Sequence, residues 1–128
     1  MPFCQSGVWE KLFSIDGDST NFTTSDYSWT ICSAYPCLQV SKTITTEKTK
    51  ALVVYAQTNG GVNGDSISTI TVNGSGCAIS RMPPPGPGTY SYANSSCVKW
   101  LPPGTHTIML RAYGRDFNGS AAGGILFM

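Results

Sequence analysis

One histidine, seven acidic residues and five cysteines are the side chains through which this 128-residue chain could do acid–base, metal or covalent chemistry. His106 lies in the run Thr105–Tyr113, whose alternate residues would share one face of a strand. It falls with Ile108, Leu110 and Ala112, so it reads as a core-edge histidine held by neighbours rather than as a general base. A Ser–His–Asp triad would need that same histidine, and no serine sits in a G-x-S-x-G turn. Asp16, Asp18 and Asp26 are oxygen donors of the calcium type, but DGDST lacks the rest of an EF-hand loop and reads as a turn. The remaining acids are scattered, with no visible pairing for glycosidic hydrolysis. Asn59 to Gly64 reads as a flexible loop by composition, and Gly60 to Gly64 lacks the lysine and helix of a phosphate-binding loop. No catalytic activity, metal or cofactor is expected.

The cysteines are Cys4, Cys32, Cys37, Cys77 and Cys97, with no C-x-x-C pair and a single histidine to complete a zinc site. Structural disulfides with one leftover thiol are the simpler reading. Cys77 with Cys97 would cross-link the flanks of the proline-rich loop, and Cys32 with Cys37 would close a short loop containing Tyr35-Pro36. Both pairings presuppose an oxidising environment.

Trp9, Trp29 and Trp100, with six tyrosines, could build a sugar-stacking surface, or pack a core or subunit contact. Four N-x-Ser/Thr sequons, at Asn21, Asn73, Asn94 and Asn118, fall in or beside expected loops and are candidate glycosylation sites; Asn-Gly and Ser turn chemistry accounts for much of the same pattern.

The elements that would position these groups are short alternating runs separated by Gly, Pro, Asn and Asp clusters. Strands are expected at 8–15, 27–32, 38–46, 50–58, 66–72, 77–82, 90–100, 105–113 and 122–128. Asn73-Gly74 marks a hairpin turn. Pro103 and Gly104 mark a type II turn, where proline sets φ and glycine supplies the positive φ. Pro83–Gly88 cannot supply ladder N–H groups and must be a surface loop. No stretch of helical length shows a 3.6-residue period. The fold expected is all-β: a single jelly-roll β-sandwich of about eight or more antiparallel strands with no substantial helix.

Composition narrows the function. Charged residues make up 12% of the chain, against roughly a quarter in ordinary soluble domains, and net charge is +1. Nothing in that balance suggests a nucleic-acid partner or an anionic membrane. The opening MPFCQSGVWEKLF lacks the basic and apolar regions of a signal peptide. The closing Ile125-Leu126-Phe127-Met128 is apolar and must be covered by the core or by a second subunit.

The segments TITTEKTKALVVYAQT, ISTITVNGSGCAISRM, YSYANSSCVKWLPPGTHTIMLRAYG and GGILFM together resemble a C1q/TNF-like jelly-roll module of the kind found in bacteriophage and other virion surface proteins. The matching elements are Ala51–Ala56, Asn73–Gly74, Leu101–Arg111 and Gly123–Met128. The resemblance covers about 38–128, with 1–37 an unmatched N-terminal part or arm of one domain spanning 1–128. It implies a homotrimer without enzymatic activity, with Phe127, Met128, Tyr55 and Trp100 as candidate trimer or partner contacts. The expected role is a virion structural protein that decorates or cements a capsid, or forms part of a fibre or collar. Its partners would be itself and other virion proteins such as a major capsid protein, and its location the virion surface. One alternative is a receptor- or glycan-binding head, with an exposed aromatic cluster drawn from Trp29, Tyr35, Tyr90 or Tyr92 and a host-surface glycan as partner. The other is an extracellular filament subunit that donates residues 1–15 as a strand to its neighbour.

Overall fold

The computed structural model describes residues 19–128. The described residues form two antiparallel sheets packed face to face, a jelly-roll β-sandwich. One sheet has the order β1 (Ser19–Phe22), β9 (Ser120–Phe127), β4 (Lys50–Val62), β7 (Tyr90–Leu101). The other has the order β2 (Ser28–Cys32), β3 (Tyr35–Thr46), β8 (Gly104–Tyr113), β5 (Ser66–Val72), β6 (Ser75–Met82). A single 3₁₀ turn over Thr24–Asp26 is the only helical element among the described residues.

Period-two alternation builds the core. On β4, Leu52, Val54, Ala56 and Thr58 point inward and are buried, while Tyr55 and Gln57 point to solvent. From the facing sheet come Ile70 and Val72 of β5 and Ile108 and Leu110 of β8, with Ile125 and Phe127 of β9 closing the layer. Each of the larger apolar side chains contributes on the order of 1.5–3 kcal/mol by leaving water. Apart from Phe22 and Tyr27, which pack edge to face, the core is aliphatic with Phe117 and Phe127 at its margins.

Where strand limits differ from the sequence reading, local chemistry explains the difference. The expected strand at 8–15 and the turn at 16–18 lie outside the described residues. The loop expected at Cys32–Cys37 is shorter than supposed: Ser33 and Ala34 alone make the turn, at φ 51° and 72°, and β3 already begins at Tyr35. Pro36 is tolerated in β3 because β8 pairs only from Cys37 onward, so the strand has a single neighbour there. Asn59–Val62, expected to be a flexible loop, continues β4 through a register shift. Its glycines serve close packing: a Cβ on Gly60 would lie 2.5 Å from the Asp65 carbonyl oxygen. Asn73 and Gly74, at φ 53° and 82°, form the expected hairpin turn, in the type I′ geometry that suits strand twist. Gly104 has the positive φ expected of it, at 137°, but opens β8 rather than sitting in a separate turn.

Two disulfides join the described cysteines, Cys32 to Cys37 within the β2–β3 hairpin and Cys77 to Cys97 between β6 and β7. The second bond ties one sheet to the other along an edge of the sandwich. Cys4 lies outside the described residues.

Candidate functional site

The outward face of the β1-β9-β4-β7 sheet carries a groove. Register places its side chains in rows across three strands: Leu126, Val53 and Val98; Gly124, Tyr55 and Ser96; Ala122, Gln57 and Asn94; Ser120, Asn59 and Tyr92. The first row is apolar and continues to Trp100, which is 69% exposed. The last two rows are polar, and there the groove opens, with a volume of about 520 Å³.

Thr23 and Thr24 form one wall. Thr24 Oγ1 donates to the Ala121 carbonyl at 3.0 Å and accepts from the Ala121 N–H at 3.2 Å, pinning the 3₁₀ turn to β9. The turn is itself capped, since Thr23 N donates to Asp26 Oδ2 at 2.8 Å. On the floor, Asn59 uses its carbonyl oxygen to accept from Gly61 N at 3.0 Å. The Gln57 and Asn94 amides make no hydrogen bond to another described residue and face solvent. Tyr92 stands on the opposite side, paired with Tyr90 at 6.5 Å between ring centroids.

Among the described residues the groove lining contains hydroxyls, amides and an aromatic ring, with no carboxylate, histidine, thiol or cation. Such a surface can exchange hydrogen bonds with hydroxyl-rich ligands and stack a ring face. It presents no acid–base pair. Among the described residues no group of three or more His, Cys, Asp or Glu could hold a metal ion. Asp16 and Asp18 lie outside the described residues, and Asp26 is committed to its cap.

His106 is 6% exposed and far from this chemistry. The Asn73 amide nitrogen donates to its Nδ1 at 3.0 Å, and its Nε2 donates to the Pro102 carbonyl at 2.8 Å; this is the tautomer that satisfies both partners. Asn73 Oδ1 also accepts from Thr107 N at 2.9 Å. The histidine thereby staples the 73–74 turn to the start of β8, next to Pro103 and Gly104.

The other candidate residues separate. Phe127 points into the core at 6% exposed and is covered by its own chain, so it offers no partner contact in this fold. Its neighbour Met128 pairs through its backbone with Ala51 and leaves its side chain half-exposed. Tyr55 and Trp100 share the outward sheet face. Of the four aromatics expected to cluster, Tyr90 and Tyr92 come together; Trp29 packs on Phe117 at 5.7 Å, and Tyr35 lies on β3 in the other sheet. All four sequon asparagines are exposed. Asn73 Nδ2 donates to His106, and Asn118 Nδ2 donates to the Val62 carbonyl at 3.3 Å, so a glycan on either nitrogen would have to share it with that bond. Asn94 lines the groove and Asn21 borders Tyr55. Gln57, Asn59 and Thr24 are not legible as site residues, because strand register gathers the first two and the bonds of the 3₁₀ turn to β9 bring in the third.

No protein-family model and no curated protein matches the chain. Solved structures do match it. A family 35 carbohydrate-binding module from Clostridium thermocellum aligns over 88% of this chain and 98% of its own, at 14% identity and a TM-score of 0.44. A carbohydrate-binding module of Cellvibrio mixtus lichenase 5A, in complex with cellotriose, aligns over 84% and 95%, at 13% identity and 0.41. A Paenibacillus cycloisomaltooligosaccharide glucanotransferase aligns over 88% of this chain at 18% identity and 0.43, and the chain spans only 18% of that enzyme's length. At such identities and TM-scores the likenesses carry no functional information. None of them supports the C1q/TNF family in particular, and what stands of that resemblance is the jelly-roll sandwich.

Proposed function

We propose that this protein is a non-catalytic glycan-binding module that takes its ligand in the groove between the 3₁₀ turn and Tyr92. The observation that carries this reading is the groove's lining: free Gln57 and Asn94 amides, threonine and serine hydroxyls and one exposed tyrosine, with no charged side chain among the described residues. Sugars present dense hydroxyls and an apolar ring face, which amides and an aromatic ring match. Isothermal titration against a panel of neutral oligosaccharides tests it. Tyr92→Ala and Asn94→Ala should each weaken binding about tenfold, close to 1.4 kcal/mol, with the fold intact. A panel with no binder, or variants that bind as the parent does, would refute the reading.

A second reading rests on the apolar end of the same face. Trp100 and Val98 are 69% and 73% exposed beside Val53 and Leu126, a patch suited to a subunit contact. In the homotrimer that the C1q/TNF resemblance implies, this patch rather than Phe127 would meet the neighbour. Light scattering that shows a stable monomer at micromolar concentration would rule it out.

A further inference from the structure

Tyr55 lies next to the groove but outside it, and its surroundings are built to hold its ring flat. Position 124 on the adjacent strand is glycine, and a Cβ there would come within 2.7 Å of Tyr55 Cζ and 2.8 Å of its hydroxyl oxygen. The ring therefore occupies the space a side chain at 124 would fill. Its hydroxyl reaches one strand further and donates to Asn21 Oδ1 on β1 at 2.9 Å. One ring face rests on the glycine backbone while the side chain remains 45% exposed. A tethered aromatic whose free face looks outward loses little side-chain entropy on stacking.

Tyr55 and Tyr92 stand at the two ends of one polar strip. Tyr92 pairs with Asn59, four residues from Tyr55 along β4, so the two rows are about 13 Å apart. The row between them is Ala122, Gln57 and Asn94, which adds two free amides and a small residue that leaves the floor open. Among the described residues, no Lys, Arg, Asp or Glu stands on the outward face between those rows. A single sugar ring cannot touch both tyrosines, whereas an extended chain can. An acidic sugar would find no counter-charge there for its carboxylate.

We infer that the ligand is an extended, neutral oligosaccharide that crosses β4 obliquely, from Tyr92 on β7 toward β9, with Tyr55 as a second stacking platform beyond the groove. This rests on the glycan-binding reading above. The test is calorimetry with β-1,4-linked gluco-, manno- and xylo-oligosaccharides of one to five residues, and with galacturonate oligomers of the same lengths. Affinity should rise with length up to the member that reaches Tyr55, and the galacturonate series should bind weakly. Tyr55→Ala should weaken the longer ligands about tenfold and leave the monosaccharide within twofold. Tyr55→Phe, which keeps the ring and loses only the tether to Asn21, should recover most of that loss. Gly124→Ala, which lifts the ring, should behave like Tyr55→Ala, with thermal unfolding reporting that each variant is folded. Tyr92-dependent binding that is flat with length, indifferent to Tyr55→Ala, or stronger for galacturonates would overturn this inference alone. Absence of binding throughout all series would overturn the glycan-binding reading with it.

Discussion

The two disulfides should contribute unequally to stability, and the order follows from what each one encloses. Cys77 and Cys97 are 20 residues apart and Cys32 and Cys37 only 5. On the chain-entropy account, closing the longer loop restricts the unfolded state by about 3 kcal/mol and the shorter by about 2 kcal/mol. Folded-state context widens the gap. The β2–β3 ladder already holds Cys32 and Cys37 close through paired hairpin strands, whereas Cys77 and Cys97 lie in different sheets. Cys97 also packs in the core, with Cys77 against it. With a urea slope of about 1.5 kcal/mol per molar, Cys77→Ala/Cys97→Ala should lower the unfolding midpoint by about 2 M. That is a large part of the 5–15 kcal/mol typical of a domain. Cys32→Ala/Cys37→Ala should lower it by about 1.3 M or less. Urea unfolding followed by tryptophan fluorescence and by far-ultraviolet circular dichroism decides between them. An equal or larger loss in the Cys32/Cys37 variant would refute the reasoning, because the inter-sheet bond would then add nothing beyond what packing holds.

Two further predictions concern buried polar groups. Burial pushes the Tyr27 phenol well above its usual range, and the nearby Asp26 carboxylate and then the Tyr55 phenol raise it further. The folded state keeps this proton after the unfolded chain has lost it, so the stability it contributes is complete below about pH 10 and falls as pH rises beyond that, by up to about 1.4 kcal/mol per unit. Tyr27→Phe should flatten that fall in urea midpoints measured from pH 8 to 11, and an unchanged slope would count against it. His106→Gln should cost about 1–3 kcal/mol in thermal or urea unfolding, since glutamine cannot serve both Asn73 and Pro102 in the same geometry. Oligosaccharide affinity should be untouched; lost affinity with unchanged stability would give His106 a role this structure does not.

Local chemistry made much of the architecture legible. Strand alternation, the Asn73-Gly74 turn and the Pro83–Gly88 loop are properties of a few consecutive residues, and they reappear with limits moved by at most four positions. His106 was readable as packing because its strand neighbours Ile108 and Leu110 named its face. The two cysteine pairs were readable because each encloses a short segment with turn residues inside. Gly60 and Gly61 read as flexibility in the sequence, since the groups that crowd them belong to Asp65, Ser91 and Asn118, distant in sequence or across a turn. Phe127 was misread as a contact because an apolar terminus says only that something must cover it.

The binding face belongs to the tertiary structure. Gln57, Asn94, Ala122 and Thr24 come from four separate segments, and nothing in any one of them marks it as a partner of the others. Strand order and register set the first three side by side, and a one-residue slip of any of their strands would turn its side chain to the opposite face; Thr24 is brought in by its bonds to the Ala121 backbone. The same holds for Tyr55, whose flat pose needs the missing side chain of Gly124 on one neighbouring strand and the amide of Asn21 on the next. What the amino-acid sequence alone determined was a disulfide-bonded, charge-poor β-sandwich, because alternation, turns and composition act over short range. Which outward residues share a groove was decided only when strands distant in sequence paired.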